Sequence, residues 1–369
     1  MNSEGNPPTT FLHIGTAKTG TTAIQEFIGH NLERFEKAGY YYPETGRVNS
    51  CHHGIAFYWG DHAAFKGMFH IGEDHLVKFS DELAAHKDRN IIVSSECFLM
   101  PTVDWDELMA SLPHQNVKVI VYFRRQDLIL AARYREHVKG NRIVASPDQW
   151  IEGNFHPNEY LGILDRLQTY VKKEDIIVRL YERRQFAGGS IFSDFCDIFS
   201  IPVTDDFVVS NANFNPHLSR DALEFNRLIN TVFDHQTSPY VFSSVLTQYT
   251  LYEMKKYGSD KREQGLFAPQ KCCEVLAKCE EVNRTIAREY LGREDGRLFY
   301  DEPPAADESW EPYPGLSEEK AEDIIRFIFE NNPQLAQRLY RAFAEAEGSD
   351  PYLLEAKRVL LPSLQKVLG

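Results

Sequence analysis

The stretch with the most evident chemistry is a glycine-rich loop near the start of the chain, Gly15 to Gly20, with Lys18 inside it. A short apolar run, Phe11 to Ile14, precedes this loop, and apolar residues at helical spacing follow it from Ile24 to Phe35. A strand, a glycine loop and a helix in this order direct backbone N–H groups and the positive end of a helix dipole toward one point. The sequence therefore predicts an anion site.

The position of the lysine narrows the choice of anion. In the usual nucleoside-triphosphate loop, G-x-x-x-x-G-K-[ST], the lysine directly follows the second glycine. Here Gly15 and Gly20 keep that spacing, but Thr21 occupies the lysine's place and Lys18 lies within the loop. A lysine there would lie beside a terminal phosphate and its bridging oxygen. This placement disfavours a nucleoside triphosphate with magnesium.

The loop segment, His13-Ile-Gly-Thr-Ala-Lys-Thr-Gly-Thr-Thr-Ala23, resembles the 5′-phosphosulfate loop of sulfotransferases that use 3′-phosphoadenosine 5′-phosphosulfate (PAPS). The resemblance implies transfer of a sulfuryl group from PAPS to an acceptor hydroxyl of a carbohydrate or other small molecule, with no metal. It also implies a catalytic role for Lys18. The implied donor-binding residues of this loop are Ala17, Lys18, Thr19, Gly20, Thr21 and Thr22.

A second part of the resemblance lies where a strongly apolar strand, Asn116 to Phe123, meets a basic helix. In the family, this strand ends at an arginine that binds the 3′-phosphate, and a serine follows eight residues later. Arg124 matches the arginine, whereas Ala132 stands at the place of the serine. The contact that the serine would make with the 3′-phosphate could be replaced by Arg125, by Arg133 or by a backbone group.

Two further donor contacts are implied by the resemblance. The strand predicted over Ile176 to Glu182 ends in Tyr181 and Glu182, and the tyrosine of the matching family strand contacts the adenine. Tyr181 is equally well interpreted as a core tyrosine. Family members also close over the 3′-phosphate with a glycine-rich basic loop, for which Arg297 is a candidate by looser similarity.

A carboxylate at the end of another strand is a candidate general base. In open α/β sheets, ligands bind outside the carboxyl ends of the strands, so the polar end of the run Ile91 to Glu96 is expected beside the glycine loop. Glu96 would then act as a base or cap the following turn. Alignment with the family strand that ends in a catalytic histidine puts Glu96 at that place. The alternative is His53 (or His52), and both groups could act together.

Composition limits the partners. The 369-residue chain is 43% hydrophobic and 25% charged, which is typical of a globular protein with a sizeable core. Its formal net charge of −14 argues against a general nucleic-acid binder, because affinity for a phosphate backbone needs clustered cations. We therefore expect a small-molecule or glycan acceptor and no nucleic-acid partner. The acceptor pocket is expected in the loops 44–75 and 235–265, whose composition does not identify the acceptor.

The location follows from what the sequence lacks. No apolar run approaches the roughly 18 residues that a membrane span requires. The first ten residues lack the basic and apolar segments of a secretory signal. Six cysteines are scattered without a C-x-x-C pair, which predicts free thiols in a reducing compartment and no zinc site. The expectation is a cytoplasmic protein without a transmembrane segment.

Apolar runs alternate with helical patterns, which is typical of an α/β fold. Together with the resemblance, this predicts a P-loop-type parallel sheet flanked by helices over residues 10–300. The proline-rich stretch 301–315 reads as a linker, and 316–369 as a helical C-terminal extension whose first helix is capped by Ser317. This extension could pack on the core, cover the acceptor groove or form a homodimer through its helices.

Two other functions stay open at this stage. A nucleotide kinase or NTPase on a similar P-loop scaffold is opposed by the displaced lysine, and by the lack of an evident strand that ends in an aspartate for magnesium. A non-catalytic family member that binds adenosine nucleotides is kept open by the departure at Ala132.

Overall fold

The structure is a computed structural model that describes residues 7–59, 66, 70–209, 217–235, 238–257 and 265–369. The chain divides into two compact units. The first unit comprises Met1–Ile129, His156–Asn213 and Val275–Glu302, and the second comprises Leu130–Phe155, Phe214–Glu274 and Pro303–Gly369. The sequence-based boundaries at 10–300, 301–315 and 316–369 stay a prediction.

The first unit is built on a five-stranded parallel sheet with the strand order β2-β3-β1-β4-β5. The strands are β1 (Thr10–His13), β2 (Tyr40–Tyr41), β3 (Asn90–Ser94), β4 (Val117–Phe123) and β5 (Ile176–Leu180). The central strands β1, β3 and β4 consist of nearly continuous buried residues, as expected for strands covered on both faces. The predicted α/β fold with a parallel sheet is confirmed.

Helices follow the strands throughout the described part of the chain. They are α1 (Thr21–His30), α2 (Leu32–Lys37), α3 (His53–Ala56), α4 (His75–Ala85), α5 (Trp105–Ala110), α6 (Gln126–Lys139), α7 (Pro147–Asn154), α8 (Glu159–Gln168), α9 (Ile191–Asp197), α10 (Arg220–Ile229), α11 (Ser243–Tyr257), α12 (Pro269–Leu291), α13 (Glu318–Asn331), α14 (Pro333–Glu345) and α15 (Pro351–Leu368). Two of the unit boundaries fall within α6 and α12.

The sheet of the first unit is covered on both faces. On one face, α1 and α9 contribute apolar residues, among them Phe27 and Phe195. These pack with the strand residues that point to the same face, such as Phe11 and Ile120. On the other face, α4, α5 and α8 contribute Phe79, Leu108 and Leu164 to a larger core. The predicted flanking helices are therefore present on both faces of the sheet.

One helix differs from the sequence-based expectation. The apolar spacing predicts a continuous helix through Phe35, but the chain breaks at Asn31 between α1 and α2. The Asn31 side chain is buried, donates to the carbonyl oxygens of Phe27 (2.7 Å) and Val208 (2.9 Å), and accepts from the Val208 N–H (2.8 Å). These side-chain bonds compete with helical backbone bonds, which explains the break.

The C-terminal helices α13, α14 and α15 pack on one another in the second unit and against α10 and α11. Lys320 forms an ion pair with Glu253 (2.7 Å), and Arg227 forms one with Glu355 (3.0 Å). The Ser317 hydroxyl accepts from the Lys320 N–H and caps α13, as predicted. The C-terminal helices thus pack within the second unit. A role of these helices at an acceptor groove or in a homodimer stays a prediction. No helix in the described ranges is long and apolar enough to cross a membrane.

A buried histidine fastens the chain before α3 to the sheet. His52 accepts at Nδ1 from the Ser94 N–H (3.0 Å), so its hydrogen lies on Nε2 and donates to the Pro43 carbonyl (3.0 Å). Burial, only partly opposed by the bond to Pro43, lowers the pKa of His52 from 6.5 to about 4. The histidine is thus a neutral structural group at physiological pH.

This pKa predicts a pH-dependent stability. As the pH falls below 6.5, His52 becomes protonated in the unfolded chain, whereas in the folded protein it stays neutral down to about pH 4. The free energy of unfolding should therefore fall over this interval, by ~3 kcal/mol from this residue. In urea unfolding, His52→Gln should be destabilised at neutral pH, and its deficit relative to the parent should shrink on acidification. His30→Gln, at an exposed position of α1, is the control. Parallel stability curves for the parent and His52→Gln would contradict the assignment.

Candidate functional site

The glycine loop leaves the carboxyl end of the central strand β1. It contains three residues with left-handed backbone, Gly15 (φ 44°), Lys18 (φ 71°) and Gly20 (φ 79°). A lysine rarely adopts this conformation, so its occurrence at Lys18 marks a loop whose shape is imposed by its surroundings. Gly20 is the N-cap residue of α1 and supplies no capping side chain. The loop and the helix start thus form the predicted strand–loop–helix unit.

Two threonine hydroxyls hold the loop in shape. The Thr19 Oγ1 donates to the Thr16 carbonyl (2.6 Å) and accepts from the Thr16 N–H (3.3 Å). The Thr16 Oγ1 donates across to the Tyr122 carbonyl of β4 (2.9 Å). Both residues are buried. Thr19 is therefore engaged inside the loop through its hydroxyl, and only its backbone N–H remains as a donor group for an anion.

The other loop residues divide by exposure. Thr21 is buried, and its methyl group lies where a Cβ on Gly15 would be. Ala17 and Thr22 are exposed at the mouth of the loop, and Lys18 is half-buried. The structure therefore leaves Ala17, Lys18 and Thr22 as the loop residues nearest to solvent.

Arg124 contacts this loop, and Tyr181 lies against its end. Arg124 follows β4, and its Nη1 donates to the Lys18 carbonyl (3.2 Å). Its guanidinium carbon lies 5.3 Å from the centroid of the Tyr181 ring, within cation–π range. Burial lowers the pKa of Arg124 from its usual value. A Cβ on Gly20 would lie 2.8 Å from the Tyr181 ring, so this ring borders the start of α1. Loop, arginine and tyrosine thus form one cluster.

Arg125 has a different environment from its neighbour. It is buried, and its guanidinium forms two hydrogen bonds with the Asp127 carboxylate (2.8 and 2.9 Å). It also donates to the carbonyl oxygens of Asp301 and Glu302. Arg125 is therefore occupied by structural contacts, and the replacement for the serine contact stays a prediction. Ala132 is buried, and Arg133 belongs to the second unit.

Arg297 is set apart from this cluster by its contacts. Its Nη2 forms an ion pair with Glu302 (3.0 Å), and its guanidinium lies over the Tyr300 ring, 5.5 Å from the centroid. About half of its side chain is exposed (52%). None of the contacts observed for Arg297 within the described ranges reaches the glycine loop or Arg124. The candidate role of Arg297 at the 3′-phosphate stays a prediction.

Glu96 and His53 lie side by side beyond the end of β3. The Glu96 Oε1 is 3.8 Å from the His53 Nε2, and the His53 Nδ1 is hydrogen-bonded to the Ser95 hydroxyl (2.8 Å). Burial lowers the pKa of His53, and the Glu96 carboxylate partly opposes this shift. Ser95, not Glu96, caps the following 3-10 turn, because its Oγ accepts from the Cys97 N–H. The capping alternative for Glu96 is therefore wrong.

A buried polar network behind these two residues has no counterpart in the sequence-based analysis. The Gln25 Nε2 donates to both the Ser94 Oγ and the Glu96 Oε2, each at 3.1 Å. The Ser94 Oγ is also hydrogen-bonded to the His13 Nδ1 (2.8 Å), and burial lowers the pKa of His13 to about 4. Gln25 is 2% exposed on α1, whose buried residues include Ile24, Phe27 and Ile28. In the sequence, a glutamine next to the apolar positions of α1 was the signal that could have indicated this network.

The two loops expected to form the acceptor pocket are described only in part. Residues 60–65, 67–69, 236–237 and 258–264 of these loops lie outside the described residues. In the described part of the chain, no group of three or more His, Cys, Asp and Glu side chains could hold a metal ion. The six cysteines, all among the described residues, are free thiols.

Comparison with known proteins shows one remote similarity. The chain is 28% identical over 219 residues to a protein of Archaeoglobus fulgidus that is described as uncharacterized. The aligned region covers 58% of this chain and 56% of that protein, so the chain matches little more than half of the relative's length. The sequence matches no family model and no solved structure. The site geometry therefore has to carry any functional conclusion.

The close approach at Gly20 predicts the effect of a methyl group. Gly20→Ala would place a Cβ 2.5 Å from the Ile191 Cδ1 and 2.8 Å from the Tyr181 ring, in left-handed backbone. Gly189→Ala is a matched control, because its φ is similar (76°) but nothing lies within 4 Å of the added Cβ. Both variants should lose ~1–2 kcal/mol of unfolding free energy from backbone strain. Gly20→Ala should lose about 1 kcal/mol more from crowding. Equal losses in urea unfolding would contradict the packing of Tyr181 on the loop.

Proposed function

We propose that this protein is a sulfotransferase that moves a sulfuryl group from PAPS to an acceptor hydroxyl of a carbohydrate or other small molecule. One observation carries the proposal most directly: Arg124, at the end of β4, donates to the Lys18 carbonyl inside the loop that follows β1. The two segments that resemble the donor-binding motifs of sulfotransferases thus contact each other. That the loop is of the P-loop type is part of the same proposal.

The strand order supports a ligand at this place. In the strand order, the chain goes from β1 to β2 in one direction along the sheet, and from β4 to β5 in the opposite direction. The adjacent strands β1 and β4 therefore flank a topological switch point, where open α/β sheets bind ligands at the carboxyl ends of the strands. The loop that contains Lys18 follows β1, and Arg124 follows β4.

The residues present fit an adenosine nucleotide with two anionic ends. The left-handed backbone of the loop and the start of α1, whose N-cap residue has no side chain, suit a phosphate group. Ala17, Lys18, Thr19, Gly20, Thr21 and Thr22 would form this part of the binding site. Arg124 offers a second cation for the 3′-phosphate, and the Tyr181 ring beside it offers an aromatic face for the adenine. Arg297 would be a further ligand of the 3′-phosphate, by looser similarity only.

The proposed reaction needs a base and a cation. The acceptor oxygen attacks sulfur, a new O–S bond forms, and the bond from sulfur to the bridging phosphate oxygen breaks. Glu96 takes the hydroxyl proton, a contribution of typically ~10²–10⁴-fold. Lys18 and the loop N–H groups stabilise the negative charge that develops on the departing phosphate. Adenosine 3′,5′-bisphosphate is the second product.

A calorimetric titration tests the donor class. The protein should bind adenosine 3′,5′-bisphosphate with micromolar affinity, unchanged by a metal chelator, and bind ATP with magnesium much more weakly. The bisphosphate provides both anionic ends that the loop and Arg124 would hold. Binding of ATP with magnesium alone would overturn the proposal and favour a phosphoryl-transfer enzyme. Bisphosphate binding without transfer from PAPS to any of a panel of sugar, phenol and amine acceptors would favour a non-catalytic binder.

Lys18→Ala is predicted to lose most of the turnover while the protein remains folded. The loop is shaped by the Thr16 and Thr19 hydroxyls, so removing the ammonium group should leave its backbone in place. We expect a loss of ~10²–10³-fold in the rate of bisphosphate release from PAPS, the range for removing a group that stabilises transition-state charge. Lys37→Ala, at an exposed position of α2, removes the same charge elsewhere and should have little effect. Wild-type turnover in Lys18→Ala would exclude the proposed role.

Arg124→Ala is predicted to weaken binding of adenosine 3′,5′-bisphosphate by about 1.5–3 kcal/mol, the range for a charged hydrogen bond. Arg89→Ala is a close control. Arg89 likewise donates to a backbone carbonyl, that of Glu36 (3.2 Å), and its guanidinium carbon lies 5.8 Å from the centroid of a tyrosine ring, that of Tyr41. It directly precedes β3, however, and so lies at the amino end of a strand, whereas Arg124 lies at the carboxyl end of β4. Calorimetry should therefore show reduced affinity for the first variant only. An equal affinity of both variants would place the 3′-phosphate elsewhere.

A further inference from the structure

The Glu96 carboxylate is held between two neighbours in unequal ways. Its Oε2 accepts a hydrogen bond from the Gln25 amide at 3.1 Å. Its Oε1 faces the His53 Nε2 at 3.8 Å, which is beyond hydrogen-bond distance. Gln25 is buried and is fixed through the same nitrogen to Ser94 (3.1 Å). The carboxylate is therefore anchored on the side of Gln25.

The position of the His53 ring beside Glu96 favours one tautomer. An ionised carboxylate only accepts hydrogen bonds, so a neutral imidazole that faces Glu96 favours its hydrogen on Nε2. The Nδ1 then accepts from the Ser95 hydroxyl, whose oxygen in turn accepts from the Cys97 N–H (3.2 Å). In this arrangement the His53 Nε2 has no lone pair for a proton, whereas the Glu96 Oε1 has one.

We propose that Gln25 is a positioning residue: it anchors Glu96 through Oε2 and holds Oε1 out of a hydrogen bond with His53, so that Oε1 is the atom that accepts the proton of the acceptor. This inference rests on the proposed sulfuryl transfer. It resolves the choice that the sequence leaves between Glu96 and His53 as the base. It also links the base to the donor loop, because Gln25 lies on α1, the helix that begins at Gly20.

An NMR titration of the His53 imidazole tests this geometry without an acceptor. Glu96 is the charged group that acts on His53; its other observed neighbours are the Ser95 hydroxyl and the Phe57 ring. Gln25→Met keeps the side-chain length but removes both amide hydrogen bonds. The released carboxylate should then close on the imidazole and raise the pKa of His53. Glu96→Gln removes the charge and should lower that pKa. A pKa of His53 that is unchanged or lower in Gln25→Met would overturn the inference.

The double variant tests whether Gln25 acts through Glu96. In the Glu96→Gln background, Gln25→Met should have no further effect on the titration of His53, because the group that Gln25 holds carries no charge. The same effect in both backgrounds would overturn the inference. Gln126→Met is the matched control, since Gln126 is also buried and loses an amide hydrogen bond, to Asn283 (2.6 Å), without touching Glu96. Gln25→Asn, which retracts the amide by one methylene, replaces Gln25→Met if the latter fails to fold.

Turnover gives the second readout. Gln25→Met should lower the rate of transfer from PAPS by ~10–100-fold through misplacement of the base, with the KM for PAPS and the affinity for the bisphosphate little changed. In the Glu96→Gln background, the further loss should be absent. Unchanged turnover in Gln25→Met would overturn the positioning role. Failure of the protein to bind the bisphosphate would instead overturn the proposed function, whatever the titration of His53 shows.

Discussion

The hydrogen bond from the Thr16 hydroxyl to the Tyr122 carbonyl is the contact on which the site depends most. Parallel pairing already aligns β1 with β4, so that His13 lies opposite Ile120. The Thr16 bond extends this alignment one step beyond the strands and fixes the start of the glycine loop against the end of β4. Because Arg124 leaves the same end of β4, its reach to the Lys18 carbonyl follows from the register of two adjacent strands.

On the other side of β1, the same register places a polar network in the interior. Ser94, which ends β3, lies opposite His13 and shares its hydroxyl with His13 and Gln25. Burial keeps His13 neutral at physiological pH, since its pKa is lowered to about 4. A neutral network avoids the large cost of a buried charge behind Glu96, whose side chain is 19% exposed. The network is therefore suited to orienting a carboxylate.

Much of the fold could be predicted from local patterns. The strands stand out as buried apolar runs, and the carboxyl ends of parallel strands must meet at one edge, so the neighbourhood of Lys18, Arg124 and Glu96 follows from sequence reasoning. The break at Asn31 could not be predicted, because its cause is a contact with Val208, far away in the chain. Likewise, Gln25 and Ser94 are separated by 69 residues, and no local pattern shows that they meet.

The adjacent arginines Arg124 and Arg125 illustrate how a chain of net charge −14 can still offer an anion site. They are the same residue type at consecutive positions after β4. Asp127 neutralises Arg125 two residues later, whereas Arg124 is turned to the loop and bonds to a carbonyl, an uncharged partner. A carbonyl anchors a guanidinium without cancelling its charge, and the Tyr181 ring does the same. The local charge at the loop therefore depends on which partner each arginine has, and this is independent of the charge of the whole chain.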